Sequence, residues 1–156
     1  SNVYVHNNNV RLWIIGPDEE NIKVELDHIL SSIKAAISFI PYTLEPEKYM
    51  ATADVFCLPS YREGFGSTII EAAACGRAII TTDHPGCRDA VEFDTGVLVP
   101  IKDHVALAEA IQDLIQDPRK RRRMGEAGRR LAEQNFSVER VVANHIQIYQ
   151  RLLSEV

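Results

Sequence analysis

The sequence predicts an α/β protein: a three-layer sandwich around a mostly parallel sheet, followed by a helical C-terminal third. Three observations carry this reading. Short apolar runs alternate with stretches of helical periodicity, which is how successive βα units read. Most of those runs are followed closely by glycine or proline, which turn the chain at the strand ends. The last third of the chain shows helical apolar spacing, beginning with the stripe from Leu107.

The elements follow in order. Val10 to Ile15 is a strand ended by Gly16-Pro17, and helical spacing then runs from Asp18 to about Ser32 through Ile22, Leu26, Ile29 and Leu30, with Ile33 in phase. Ala36 to Ile40 is a second strand, stopped by Pro41. Pro46 to Ala53 is a short helix with proline at its permissive first turn. Asp54 to Leu58 is the third strand. A helix from about Ser67 to Cys75 is closed by Gly76, which tolerates the left-handed conformation that ends many helices. Ala78 to Thr82 is the fourth strand, followed by Pro85-Gly86 and a short helix near Cys87–Val91. Thr95 to Val99 is the fifth, stopped by Pro100. Leu107, Ala108, Ile111, Leu114 and Ile115 then form one apolar stripe. Asp117-Pro118 caps and opens the next helix, with Met124, Ala127 and Leu131 on one side. Ser137 caps a last helix with Val138, Val141, Val142, Ile146, Tyr149, Leu152 and Leu153 on one face. No repeat, low-complexity linker or internal boundary interrupts this order, so residues 1–156 read as one domain.

Composition narrows the function. A chain of 156 residues that is 46% hydrophobic can bury a core without disulfide or metal staples. A formal charge of −5 argues against a nucleic-acid partner, which would call for a basic chain. Cys57, Cys75 and Cys87 form no CxxC pair, and an odd count suits a reducing compartment. His6, His28, His84, His104 and His145 lack metal-ligand spacing, so neither a metal nor another cofactor is expected. No apolar run of about 18 residues is present and no signal peptide is recognisable, which points to a cytoplasmic protein.

The loop from Pro59 to Gly66 is the richest in chemistry. In open α/β sheets ligands bind outside the carboxyl ends of the strands. Four loops are expected to converge there: Gly16-Pro17, Pro41-Tyr42, Pro59–Gly66 and Asp83–Arg88. Gly64 and Gly66 permit close backbone approach, and the amides of Ser67, Thr68 and Ile69 at a helix start would make an anion site. Glu71, one turn into the helix, leans back toward the loop, with Glu63 facing it. A glycine-bearing strand-to-helix turn is also a common structural connection, and Glu71 would be equally at home as a solvated helix residue.

At this point the residues resemble a family. Leu58 through Thr82, containing Glu63-Gly-Phe-Gly-Ser-Thr-Ile-Ile-Glu71, is similar to the donor-binding half of a family-4 retaining glycosyltransferase. That family has the GT-B fold, two Rossmann-like domains facing across a cleft. The likeness continues through Pro85-Gly-Cys-Arg-Asp-Ala-Val91, Thr95-Gly-Val-Leu-Val-Pro100, Met124-Gly-Glu-Ala-Gly-Arg129, Phe136-Ser-Val-Glu-Arg-Val141 and Tyr149, from about Val10 to Leu153. The resemblance implies a nucleotide-sugar partner, UDP-linked, carrying a hexose or N-acetylhexosamine for a glycan or lipid-linked acceptor in surface polysaccharide synthesis. Glu63 would support positive charge at the reacting sugar. Gly64, Phe65, Gly66, Ser67 and Thr68 would line sugar and diphosphate with backbone amides, and Glu71 would accept hydrogen bonds from the ribose hydroxyls. Tyr42 follows a strand where the family holds the base, with Pro41 where glycine is commoner; packing of Tyr42 in its loop is the other reading. Arg88, at the same strand edge, reads either as a ligand contact or as a surface residue.

The resemblance also implies what lies outside this sequence. The family's donor domain opens with a strand ending in Gly-Arg and then a lysine, cations that neutralise the departing diphosphate; no such unit precedes Val10. The acceptor-binding N-terminal domain would be a further partner, and the last helix crosses back onto it, so part of its apolar stripe is expected to be exposed. As an isolated domain the chain is then expected to bind donor weakly and not to transfer sugar. A non-catalytic nucleotide-sugar-binding or interaction module of the same fold is the rival from another class. Finally, Arg119-Lys-Arg-Arg-Arg123 with Arg129 and Arg130 is the one basic cluster. It reads either as a solvated helix face or as a contact to an anionic membrane surface at the inner face of the membrane.

Overall fold

β-Branched and aromatic residues dominate the strand runs, and among the described residues every strand pairing is parallel. The computed structural model describes residues 9–18, 21, 23–24 and 33–155. Two compact units result, Ser1–Pro46 and Glu47–Val156.

In the first unit, β1 (Leu12–Ile15) pairs in parallel with β2 (Ile37–Ile40), Leu12 opposite Ile37 and Ile15 opposite Ile40. The amide of Gly16 closes the end of this pair by donating to the Ile40 carbonyl at 3.0 Å. A single 3-10 turn at Lys34–Ala36 leads into β2, so this strand starts one residue later than its apolar run suggests. The helix expected from Asp18 to Ser32 falls largely outside the described residues.

The second unit contains α1 (Pro46–Thr52), β3 (Val55–Leu58), α2 (Ser67–Ala74), β4 (Ala78–Thr82), β5 (Gly96–Val99), α3 (His104–Gln116), α4 (Pro118–Asn135) and α5 (Val138–Ser154). Its strands run in the order β3-β4-β5, all parallel, with every residue of the central β4 buried. Alternation along β4 makes the layers. Ile79 packs with Met50, Ile69, Ala72, Cys87 and Ala90 on the face covered by α1 and α2. Ala78 and Ile80 pack with Val99, Ala110, Leu114 and Met124 on the face covered by α3 and α4. A strand buried on both faces reads as an apolar run without alternation, as Ala78-Ile79-Ile80 does here. Cys57 shares the second of these clusters, and burial pushes its thiol up to about 12, so it stays protonated and unreactive.

The helix starts are chemically fixed. The Asp117 carboxylate accepts from the amides of Arg119 (3.0 Å) and Lys120 (2.9 Å), with Pro118 at the first helical position. Ser137 caps α5 through the Arg140 amide at 3.3 Å. Asp103, not singled out from the sequence, does the same for α3 through Val105 and Ala106. Thr95 is drawn out of β5 by a turn in which its hydroxyl accepts from the Glu92 amide at 2.8 Å. The short helix expected near Cys87–Val91 is a single 3-10 turn at Arg88–Ala90.

Helix α4 lies against the C-terminal end of α2 by backbone approach. A Cβ on Gly125 would come within 2.2 Å of the Gly76 carbonyl oxygen, a distance no side chain survives. Gly76 itself closes α2 at φ +72°, as its position suggested. In α5, by contrast, no residue is buried, and its stripe from Val138 to Leu153 is exposed.

Candidate functional site

The carboxyl ends of β3 and β4 build one continuous loop surface. Two wholly buried threonines finish β4. The Thr81 hydroxyl donates to the Leu58 carbonyl at 2.8 Å, and the Thr82 hydroxyl donates to the Ser60 carbonyl. The central strand therefore pins the first residues of the Pro59–Gly66 loop. The loop after β4 grips its far end: the Gly66 amide donates to the Gly86 carbonyl at 2.9 Å. Gly86 sits at φ +86°, and a Cβ there would lie 2.5 Å from the Glu63 carbonyl oxygen. Glycine is required twice over, by the left-handed backbone and by the closeness of the Glu63 peptide.

On this frame Glu63 is half-buried, Gly64, Phe65, Ser67, Thr68 and Glu71 are exposed, and Gly66 is buried. Neither the Glu63 nor the Glu71 carboxylate is spent on an ion pair or hydrogen bond among the described residues. The expected trio of free amides at Ser67, Thr68 and Ile69 is corrected here. Gly66, at φ −71° and ψ 63°, makes an inverse γ-turn, so the Ser67 amide bonds the Phe65 carbonyl at 2.7 Å. The Ile69 amide bonds the Gly66 carbonyl at 2.9 Å. Among the described residues, the Thr68 amide of the trio has no intramolecular partner, and in the loop before it the amides of Gly64 and Phe65 have none either. The donors that can meet an anion are thus shifted toward the loop.

Three contacts around the loop were not foreseen. The Phe65 ring lies 5.9 Å from that of Phe136, tying the loop to the α4–α5 junction. The Lys102 ammonium stands 5.6 Å from the centre of the Tyr61 ring. Arg88 is paired with Asp83 of its own loop, and the hydrogen bond from the guanidinium holds the Asp83 carboxyl below the usual carboxylate range. The polar pair Thr81-Thr82 at the end of an apolar strand was the one signal that could have exposed the β4 pins.

Of the four loops expected to converge, Pro59–Gly66 and Asp83–Arg88 are brought together within the second unit. Gly16-Pro17 and Pro41-Tyr42 belong to the first, where Tyr42 follows β2 with an exposed ring. The basic run is divided among several jobs. Lys120 pairs with Asp113 at 2.6 Å, Arg122 with Glu126 at 2.9 Å and Arg129 with Glu133 at 2.8 Å, while Arg121 donates to the Leu114 and Ile115 carbonyls that end α3. Among the described residues no three or more His, Cys, Asp or Glu side chains converge, and no helix is long and apolar enough to cross a membrane.

Residues 3–131 match the family model for glycosyl transferases, group 1. The chain belongs to this family. Over 149 residues it is 34% identical to a capsular polysaccharide biosynthesis glycosyltransferase of Staphylococcus aureus, covering 94% of this chain and 39% of that protein. Its fold superposes on sucrose-phosphate synthase of Thermosynechococcus elongatus with a TM-score of 0.84 and 27% identity, over 99% of this chain and 41% of that one. It also matches Anabaena HepE, crystallised with UDP-glucose, at a TM-score of 0.76 and 23% identity over 93% of this chain and 41% of that one, a likeness of fold. This group 1 glycosyltransferase chain therefore spans about two fifths of the length of the relatives it matches. The α/β architecture with parallel sheets and a helical C-terminal region expected for a GT-B donor domain is the one observed.

Proposed function

We propose that this chain is the nucleotide-sugar-binding domain of a retaining glycosyltransferase. The whole enzyme moves a hexose or N-acetylhexosamine from a UDP-linked donor to a glycan or lipid-linked acceptor in surface polysaccharide synthesis. The carrying observation is the loop between β3 and α2. Thr81 holds the end of β3, Thr82 and Gly86 hold the loop backbone, and the loop together with the first turns of α2 presents two unspent carboxylates and the open amides of Gly64, Phe65 and Thr68. Amides suit phosphate oxygens, and carboxylates suit the hydroxyls of ribose and sugar. In this reading Glu71 accepts from the ribose, Glu63 stands by the reacting sugar and stabilises positive charge as the donor bond opens, and the Gly64–Thr68 stretch holds the diphosphate. The surface-polysaccharide role is supported by the capsular relative, and the UDP-linked donor by the HepE complex.

A helix start stabilises an anion by roughly 0.3–2 kcal/mol, far short of what diphosphate departure needs. The chain alone is accordingly expected to bind donor without transferring it, and this reading requires no metal. In this reading the protein works in the cytoplasm, and the basic stretch Arg119–Arg130 serves either as a solvated helix face or as a contact to an anionic membrane surface; equal flotation with neutral and anionic liposomes would remove the contact.

Calorimetric titration of UDP-, GDP- and ADP-sugars tests the central claim. UDP-sugars should bind best, and Glu71→Ala should weaken every ribose-bearing donor by about tenfold, the worth of one charged hydrogen bond. Unchanged UDP affinity in Glu71→Ala would sink the ribose assignment, and no affinity for any nucleotide would sink the function.

A further inference from the structure

We propose that the cavity at the amino-terminal edge of the β3-β4-β5 sheet is a second anion site, built for a phosphate-bearing ligand. Asp54 precedes β3 and Arg77 precedes β4, whereas the nucleotide-sugar loop follows the other end of the same parallel strands. The cavity is a wide-mouthed hollow of about 400 Å³, and its lining brings together Arg77, Arg121, Arg122 and Arg129 with the two carboxylates Asp54 and Glu126. Such an excess of cations stands out on a chain whose formal charge is −5. The volume suits a diphosphate, a sugar phosphate or a lipid headgroup.

The four guanidiniums divide into a fixed pair and a labile pair. Arg77 is clamped by its Nε to the Cys75 carbonyl (2.9 Å) and by Nη1 to the Ala53 carbonyl (2.8 Å). Arg121 is clamped through Nη1 to Leu114 and Ile115 at 2.6 and 2.8 Å, with Nη2 3.4 Å from Asp54. Each clamped guanidinium carries more N–H donors than these bonds use, and its conformational freedom is already lost. Arg122 and Arg129 are 82% and 60% exposed, and their partners Glu126 and Glu133 lie one turn on along the same helix. Exposed pairs of this kind hold weakly, so both are available to a more highly charged oxyanion offering forked acceptance.

The walls are rigid because Gly125 of α4 rests on the Gly76 peptide with no room for a Cβ, which sets the spacing between α4 and the Arg77 turn. An anion entering here would meet preformed donors on one side and mobile cations on the other. Free phosphates or diphosphates and phospholipid headgroups share this chemistry, and the test separates them.

Inorganic diphosphate is titrated calorimetrically into the purified chain, then into Arg122→Ala/Arg129→Ala, whose exposed side chains leave the core untouched. Binding should persist in saturating UDP, which occupies the nucleotide-sugar loop, and in Glu71→Ala, and should fall by about tenfold or more in the double variant. Displacement by UDP, or equal affinity in wild type and double variant, would overturn the proposal. A second arm uses phosphatidylcholine vesicles with and without phosphatidic acid. Retention on the phosphatidic acid vesicles alone, lost in the double variant but kept in Arg119→Ala/Arg130→Ala, whose side chains lie outside the cavity lining, identifies a headgroup as the source even if free diphosphate binds poorly. Equal loss in both double variants overturns the site. No binding to either probe overturns the site. Because the loop variant and the pocket variant are read separately, this inference can fail while the nucleotide-sugar reading stands, and the reverse.

Discussion

The two ends of the β3-β4-β5 sheet are built from opposite materials. At the carboxyl end, backbone dominates: Thr81 and Thr82 hold Leu58 and Ser60, Gly86 touches the Glu63 peptide, and the unspent side chains are carboxylates. At the amino end, side chains dominate, with four arginines around a cavity and two of them spent on carbonyls that end other elements. Backbone donors are exact in place and neutral overall, so they suit a ligand that must be oriented for chemistry. Guanidiniums carry full charge and tolerate variation in the ligand, so they suit a ligand that need only be held. Both ends depend on a glycine against a peptide, which makes the contrast easy to break.

The largest effect is expected at the arginine end. Gly125→Ala places a Cβ 2.2 Å from the Gly76 oxygen, backbone against backbone, and should cost about 3 kcal/mol in urea unfolding. A variant melting like wild type would show that α4 is not rigidly seated. Gly86→Ala comes next. Its Cβ meets the Glu63 carbonyl at 2.5 Å and its φ of +86° disfavours any L side chain, together about 2 kcal/mol. UDP affinity should drop with it while diphosphate binding at the arginine cavity is kept; a parallel loss at both sites would erase the distinction between the ends. Thr82→Val preserves shape but removes the bond to Ser60, leaving a carbonyl unpaired, and should cost about 1 kcal/mol with a modest fall in UDP affinity.

The smallest effect concerns the cap of α4. Amide donation from Lys120, then from Arg119, lowers the Asp117 pKa in the folded chain. A depressed carboxylate contributes stability at pH values above its unfolded pKa of about 3.9, and loses it as pH falls through the lower folded value. The stability difference between wild type and Asp117→Ala should therefore be constant near neutrality and shrink only in strong acid. A difference that grew on acidification would reverse the sign and remove the cap explanation.

Much of the fold was legible because its signals are local. Proline and glycine after Ile15, Ile40 and Val99 marked strand ends, Asp117-Pro118 and Ser137 marked helix starts, and the unbroken apolar run Ala78–Ile80 marked the strand buried on both faces. The candidate loop was legible too, since glycines and carboxylates stand out between an apolar strand and an apolar helix. Its amides were misjudged at Ser67 and Ile69, because the γ-turn at Gly66 depends on dihedral angles that any glycine-containing turn leaves open. Helices α4 and α5 make the same point. Both carry a clear apolar stripe, yet α4 buries Met124, Gly125, Ala127, Gly128 and Ala132, and α5 buries nothing.

The sequence by itself determined the order of the described strands and long helices, the parallel α/β class, the caps at Asp117 and Ser137, and the loop on which the proposed function rests. Periodicity and turn chemistry act over a few residues and leave their mark directly in the chain. Only the tertiary structure decided that Gly86 supports Glu63, that Thr82 holds Ser60, that Gly125 rests on Gly76, and that four arginines from a turn and a helix share one cavity. Those pairings join segments far apart in sequence, and close packing, which admits one arrangement of backbones and excludes the rest, is what selects them.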